Sequence, residues 1–448
     1  MTRAPLDASQ RALAVGLVLS VTLVAFETTA VITALPTIAD ALHGDSLYGA
    51  TLAAYMLADL VALVWAGEQA DLHGVRRPFL ACIGIFLTGL VVAASAQSMA
   101  MVLIGRLLQG AGSGGFAPLS YIAVRRAFPV ERQATMYAYL SAGWVLPSLL
   151  APVVSGIVVD RIGWRWVFIG IAPLAAAVAL LTARAMAHLA PSDGIIDRRP
   201  TRLHRAFQAS AGVGILAAGL QNKHLLVAAP LCVAGIAIAL PALRFMLPAG
   251  VFRARRGLPA IVAVRFLATA TFLGVDSFVP LAADRLHNAR PIVQGFVISG
   301  AAVTWTIGQA LTARRVDRIN PGRMSGMGFG FLLIGIATVA PVLSPSWPLP
   351  IVFFTWAIGG FGMGILFNPT TVASMTYADD GREGEISSQI HLADSLGFGI
   401  MGVVGGSTVA FSDRTSATLQ GAIGVNFALA ALCAVLGLAA SRGVRSRA

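Results

Sequence analysis

A chain of 448 residues in which 57% are hydrophobic and 12% charged carries about half the charge of an ordinary soluble domain, which excludes a water-soluble globular enzyme. Its net charge of +12 would suit a nucleic-acid binder, but the basic residues fall between apolar runs and not on one polar face, so no nucleic-acid partner is expected. P-loop ATP hydrolysis is excluded too, because the one lysine, Lys223, follows Asn222 where that loop requires Gly.

Apolar runs of the length that crosses a bilayer, about 20 residues, recur along the chain. The first, 12–36, follows Arg3 and Arg11; it is too long for a signal-peptide core and no small-residue cleavage site follows it, so it reads as a retained helix. Helices follow near 47–66, 78–96, 99–124, 133–159 and 164–187. A polar, arginine-rich linker at 190–205 precedes two shorter runs, 206–221 and 225–243. A basic stretch from Arg244 to Arg256 then leads into six more, at 258–282, 291–313, 324–343, 349–376, 386–411 and 417–440. The fold class is therefore an all-α polytopic membrane protein of about 14 helices, grouped as an N-terminal six-helix bundle (1–189), a linker with two inserted helices (190–257) and a C-terminal six-helix bundle (258–448). Cys82, Cys232 and Cys433 all lie in these runs, far apart, and read as small core residues and not as a disulfide or metal set.

Basic loop residues support this layout. With the N-terminus in the cytoplasm, Arg and Lys on that side outnumber those outside by about four to one, the bias that membrane topology requires. Both termini are then cytoplasmic, in a multi-pass protein of a bacterial cell membrane.

The residues that stand out are charges inside the apolar runs: Glu27, Asp59, Arg106, Asp276 and Asp394. Each costs at least about 2.5–3.5 kcal/mol at bilayer depth and is tolerated where it pairs, binds or moves a proton. Glu27 is about 22 Å into its helix at 1.5 Å per residue, and Arg106 about 20 Å from the same side of a ~30 Å core. At one depth in neighbouring helices they are expected to form a charge-relay pair. Asp59 either bonds a neighbouring helix or faces a cavity. Asp276, near the outer edge, either meets substrate or meets water. Asp394 and His391 share a helix face as a gating pair or a hydrated helix end. Arg265 reads as snorkelling to the inner interface. Tyr55, Trp144 and Trp305 are further candidates for a substrate cavity. Pro147 and Pro152 remove helix hydrogen bonds and supply flexing points.

Two loops also match each other. Gly67, Asp71, Gly74, Arg76 and Arg77 follow the second helix, and Gly308, Arg314, Arg315, Asp317 and Arg318 stand at the matching place in the second half. Gly67 to Arg77 resembles the G-x-x-x-D-(R/K)-x-G-x-(R/K)-(R/K) loop of the major facilitator superfamily, with Leu72 where the family has a base. Arg106-Leu-Leu-Gln109-Gly110 is similar to its R-x-x-Q-G motif. Ala151-Pro152-Val-Val-Ser155-Gly156 resembles the G-P-x-x-G-G antiporter motif, with Ala151 and Ser155 replacing glycines. Gly163-Trp164-Arg165-Trp166-Val167-Phe168 resembles the start of the family's sixth helix. Phe26-Glu27 to Leu35-Pro36 is like the first-helix signature of the fourteen-span drug:proton antiporters.

The resemblance implies the major facilitator fold and a proton-coupled secondary active transporter. It would export hydrophobic or amphipathic small molecules by alternating access, and is not an enzyme. Glu27, Arg106 and Asp59 would couple protons. Gly67, Asp71, Gly74, Arg76, Arg77 and Asp317 would latch conformations, and Pro147, Pro152 and Gly156 would belong to the helix-5 motif. The partners implied are an apolar substrate, protons and membrane lipids, with no cofactor or metal beyond the proton gradient, in a monomer. A lipid flippase and an uptake symporter for a small metabolite are the competing readings.

Overall fold

The computed structural model describes residues 7–129, 132, 136, 139–140, 143–186, 200–220, 222, 225–313, 320–377, 383–412 and 418–445. Among them all regular structure is helical. Helices α1 (Ala8–Ala41), α2 (Tyr48–His73), α3 (Arg76–Ala94), α4 (Met99–Ser113), α5 (Phe116–Ala127), α6 (Val145–Arg161) and α7 (Arg165–Ala185) come first. The inserted pair is α8 (Pro200–Leu220) and α9 (Leu225–Met246). Then follow α10 (Leu258–Asp276), α11 (Val279–His287), α12 (Pro291–Ala313), α13 (Pro321–Val339), α14 (Leu349–Met375), α15 (Glu383–Ser412) and α16 (Leu419–Ala440). Among the described residues eleven helical segments are long and apolar enough to cross a membrane.

Local chemistry sets several of these boundaries. Asp7 and Gln10 form a reciprocal capping box at the start of α1. Ser98, Asn320 and Thr418 accept backbone N–H groups at the starts of α4, α13 and α16. Two runs expected to be single helices, 99–124 and 258–282, are each interrupted. The cause is Pro118 in one and Pro280 in the other: proline has no N–H for the carbonyl four residues back, at Gly114 and Asp276, and the helix breaks there.

The packing partners repeat. In the first half α1 packs on α6 and α7, α4 on α2 and α3, and α3 on α7. In the second half α10 packs on α15 and α16, α14 on α12 and α13, and α13 on α16, which is the same scheme. The halves meet along two seams, α2 with α15 and α6 with α12. Both seams are lined where backbones touch. Gly49 of α2 lies against Gly402 and Gly406, and Gly156 of the proline-containing helix lies against Pro291 and Ile292. The inserted α8 packs on α9, α2 and α15. Its Val213 and Ala209 join Leu57, Leu60, Leu392 and Leu396 in one apolar cluster, and its Ser210 donates to the Leu57 carbonyl at 2.9 Å.

Small residues set the distances between membrane helices. A Cβ on Gly110 would collide with the Tyr55 backbone carbonyl, whereas one on Gly67 would meet nothing within 4 Å. Gly110→Val is therefore expected to push α4 off α2 and lower stability by about 1–3 kcal/mol or more. Gly67→Ala, although it alters a motif position, should leave the unfolding midpoint of the detergent-purified protein unchanged.

Candidate functional site

Glu27 on α1 and Arg106 on α4 face each other as an ion pair, at 0% and 1% exposure. The same Arg106 Nη1 donates to Gln109 Oε1 at 2.7 Å, and its guanidinium lies 4.1 Å from the centre of the Tyr55 ring on α2. Thr28 donates to the Tyr55 hydroxyl at 3.4 Å. One turn along α2, Asp59 accepts from Ser113 Oγ of α4 at 3.2 Å. Acid, base, aromatic and second acid thus occupy one stretch between α1, α2 and α4, and Gly110 lets those helices come close enough to assemble it. Among the described residues Glu27 Oε2, Arg106 Nε and Gln109 Nε2 are buried without a hydrogen-bond partner. An unmet buried polar atom costs about 1–3 kcal/mol.

The second half carries a different arrangement. Arg265 does not snorkel. It is 2% exposed, and its Nε donates to Asp394 Oδ1 at 2.9 Å, with Nη2 on the other carboxylate oxygen. Nη1 donates to Thr371 Oγ1 at 2.8 Å and to the Phe367 carbonyl at 3.2 Å. The guanidinium sits 3.3 Å from the centre of the Phe367 ring, and Thr269 also donates to Asp394, at 3.2 Å. Asp394 is therefore bound across helices by a fork of two N–H groups, instead of standing as a hydrated helix end with His391. Its side chain keeps 18% exposure. Asp276, expected at substrate or at outer water, is 9% exposed and accepts from Trp356 Nε1 at 2.7 Å. Aromatic rings join the two sites. Trp356 stacks on Phe272 at 5.2 Å, Phe272 meets Trp305 edge-on at 5.0 Å, and Trp305 lies 5.5 Å from Phe367. Trp305 and Phe367 are half-buried.

Other expected residues lie elsewhere. Trp144 is 48% exposed at the start of α6, next to Gly143, which packs on Val18 and Thr22 of α1. Ser155, standing in for a family glycine, donates to the Ala30 carbonyl at 2.7 Å and ties α6 to α1. Pro147 is buried in α6, and Pro152 touches Gly295 across the α6–α12 seam. In the motif loop Gly74 takes φ 76°, a left-handed value that suits glycine, and Arg76 and Arg77 are exposed. Arg126 donates to the Ala70 carbonyl near the end of α2 at 3.4 Å, a base at a helix C-terminus. Asp317 lies outside the described residues, as does the side chain of Asp71.

Ion pairs also tie the halves together at one end. Arg285 on α11 bonds Asp40 at 2.8 Å and Asp45 at 2.9 Å, Arg290 Nε bonds Asp160 at 3.1 Å, and Tyr48 donates to the Ser277 carbonyl at 2.9 Å. The sequence carries a signal for these contacts. Pro36-Thr-Ile-Ala39-Asp40-Ala-Leu42 and Pro280-Leu-Ala-Ala283-Asp284-Arg-Leu286 repeat one pattern at the same end of each half.

The helical architecture and the charges sealed inside it define a transporter of the membrane-spanning class. The chain belongs to the Major Facilitator Superfamily, which matches residues 17–390. It is 27% identical over 395 residues to the drug efflux pump JefA of Mycobacterium tuberculosis, covering 83% of this chain and 74% of that one. It is 32% identical over 162 residues to Multidrug resistance protein 3 of Bacillus subtilis, covering 36% of this chain and 32% of that one. In fold it is similar to a peptide transporter POT solved in complex with sulfate, with TM-score 0.70, 15% identity, and coverage of 97% of this chain and 96% of that one.

Two stability tests follow. Arg106→Leu strands the Glu27 carboxylate and should cost about 3–5 kcal/mol, whereas Glu27→Leu/Arg106→Leu together should recover most of it; thermal unfolding in detergent measures both. Trp356→Phe keeps the ring stack but leaves Asp276 without its donor, and should cost about 1–3 kcal/mol, a loss that Asp276→Asn does not add to.

Proposed function

We propose that this protein is a proton-coupled secondary active transporter that exports hydrophobic or amphipathic small molecules by alternating access. The observation that carries this reading is the Glu27–Arg106 pair. A carboxylate and a guanidinium buried at 0% and 1% exposure, with Asp59 one helical turn away from Tyr55, form a unit whose charge balance a single proton changes. Protonation of Glu27 would release Arg106 toward Gln109 and Tyr55, and the helices that hold the three residues would follow. Relatives named as drug efflux pumps support the export direction and an apolar substrate.

In this proposal the chain makes fourteen passes. Beyond the eleven apolar segments, the broken pair α4–α5, the helix ending in α6 and the inserted α8 complete the set. Residues 1–189 and 258–448 are the two bundles that rock, with 190–257 inserted between them. Substrate lies against Trp305 and Phe367, the half-buried rings of the second half, between Asp276 at one end and Arg265–Asp394 at the other. Aromatic rings with an ionisable group at each end suit amphipathic molecules. The protein works in a bacterial cell membrane with both termini in the cytoplasm, as a monomer, on the proton gradient alone and without a cofactor. The inserted α8, seated on α2 and α15, covers one of the two seams through which a lipid flippase would open sideways, and this favours the exporter.

The test is flux in reconstituted vesicles. Wild type should extrude dyes from a broad panel when a pH step is applied, and Glu27→Gln should lose at least about tenfold of that flux. Gradient-driven export that survives in Glu27→Gln removes the coupling role. Translocation of labelled lipid without dye flux assigns the flippase, and inward accumulation of a polar metabolite assigns the symporter.

A further inference from the structure

Away from the charged core, a cavity of about 440 Å³ opens where the C-terminal end of α16 meets the start of α13. Arg323, Arg442 and Arg445 stand on its walls with Asn320, Ser441 and Met327. All three arginines are exposed, and among the described residues none is paired with a carboxylate. The site is built and not a loose tail. Asn320 caps α13 through the Arg323 N–H at 3.1 Å. The Gly257 N–H donates to the Gly443 carbonyl at 2.9 Å, and the Tyr377 hydroxyl donates to the Arg445 carbonyl at 2.9 Å. Gly322 is pressed onto the Ser441 and Val444 carbonyls, where a Cβ would come within 2.8 Å. Exposed Arg253, Arg255 and Arg256 lie on the segment that ends at Gly257 and add to the positive field.

From this basic cup exposed apolar side chains continue along the bundle on α13 and α16. Met327 at its rim is 47% exposed, and Ile334 two turns further along α13 is 50% exposed, with Leu438 of α16 at 39% on the facing side. Between them Gly330 leaves open space and Gly326 touches only Ser441 and Leu438. Guanidinium groups gathered around one cavity suit a phosphate, because their planar forks match its oxygens. The exposed apolar side chains that lead away from it suit something with a hydrocarbon tail.

We propose that this cavity binds the headgroup phosphate of an anionic phospholipid from the leaflet on the side of the C-terminus, with an acyl chain along the exposed apolar side chains of α13 and α16. The proposal rests on the membrane placement of the helices and is independent of which substrate the protein moves. A basic pocket between membrane helices on the positive side of the protein is suited to an anionic headgroup.

The experiment uses full-length protein purified in a neutral detergent and titrated with phosphatidylglycerol, phosphatidylcholine or inorganic phosphate, read as the shift in unfolding midpoint and as lipid adducts in native mass spectrometry. Phosphatidylglycerol should raise the midpoint and be retained, phosphatidylcholine should not, and added salt should weaken the effect. Arg323→Gln/Arg442→Gln/Arg445→Gln should weaken phosphatidylglycerol binding by about a hundredfold, about fivefold for each arginine lost. Should that variant fail to fold, a photoreactive phosphatidylglycerol on wild type decides, with adducts expected within 322–334 and 438–445. Equal stabilisation by phosphate alone assigns a soluble anion and overturns the lipid, as do equal effects of the two lipids or adducts confined to other segments.

Discussion

A carboxylate and a guanidinium locked together in the dry interior of a helix bundle constrain everything around them. Removing either alone strands the other at a cost of about 3–5 kcal/mol, so α1 and α4 cannot separate at the level of Glu27 and Arg106 without first neutralising a charge. The approach of α4 to α2 at Gly110 serves the same unit, because it sets the Tyr55 ring over the Arg106 guanidinium. In the proposed transporter, proton binding and helix movement become one event for this reason: the charge that makes the packing expensive to break is the charge a proton removes.

The two halves use one packing scheme for different chemistry. In the first, an acid on α1 meets a base on α4. In the second, the acid on the corresponding helix, Asp276, meets a neutral donor, Trp356. The charged pair there is formed instead by Arg265 on α10 and Asp394 on α15. The first pair is sealed, while Asp394 keeps 18% exposure. In the proposed transporter this division would leave the titrating unit to one half and the groups that meet a visiting molecule to the other. The inserted α8 breaks the symmetry further by packing over the α2–α15 seam.

The ties between the halves at the Asp40, Asp160 and Arg285 end are of another kind. Arg285 and Arg290 reach carboxylates at the rim, where solvent screening leaves ion pairs weak. Such contacts hold one conformation without fixing it, and only the Tyr48–Ser277 hydrogen bond beside them is buried. In the proposed transporter, such weak rim pairs would let the halves part at one end while the core of each stays intact.

Hydropathy and charge order were enough to determine much of this protein. Apolar runs of bilayer length must be helices because lipid offers no partner for an open backbone, and a charge inside such a run must have a partner. On those grounds Glu27 and Arg106 are legible as a pair from their depths, and the loop after the second helix together with the R-x-x-Q-G motif points to the superfamily. What the sequence left open depends on rotation and distance between helices. Arg265 was read as reaching for the interface because its own helix does not reveal that Asp394, 129 residues later, comes to face it. The fate of Asp276 likewise turned on a tryptophan from α14, and the breaks at Gly114 and Asp276 on prolines whose effect a hydropathy window averages away. Composition along one helix decides how deep a side chain lies. Which neighbour it meets is decided only when backbones close to contact distance, and that happens in the tertiary structure.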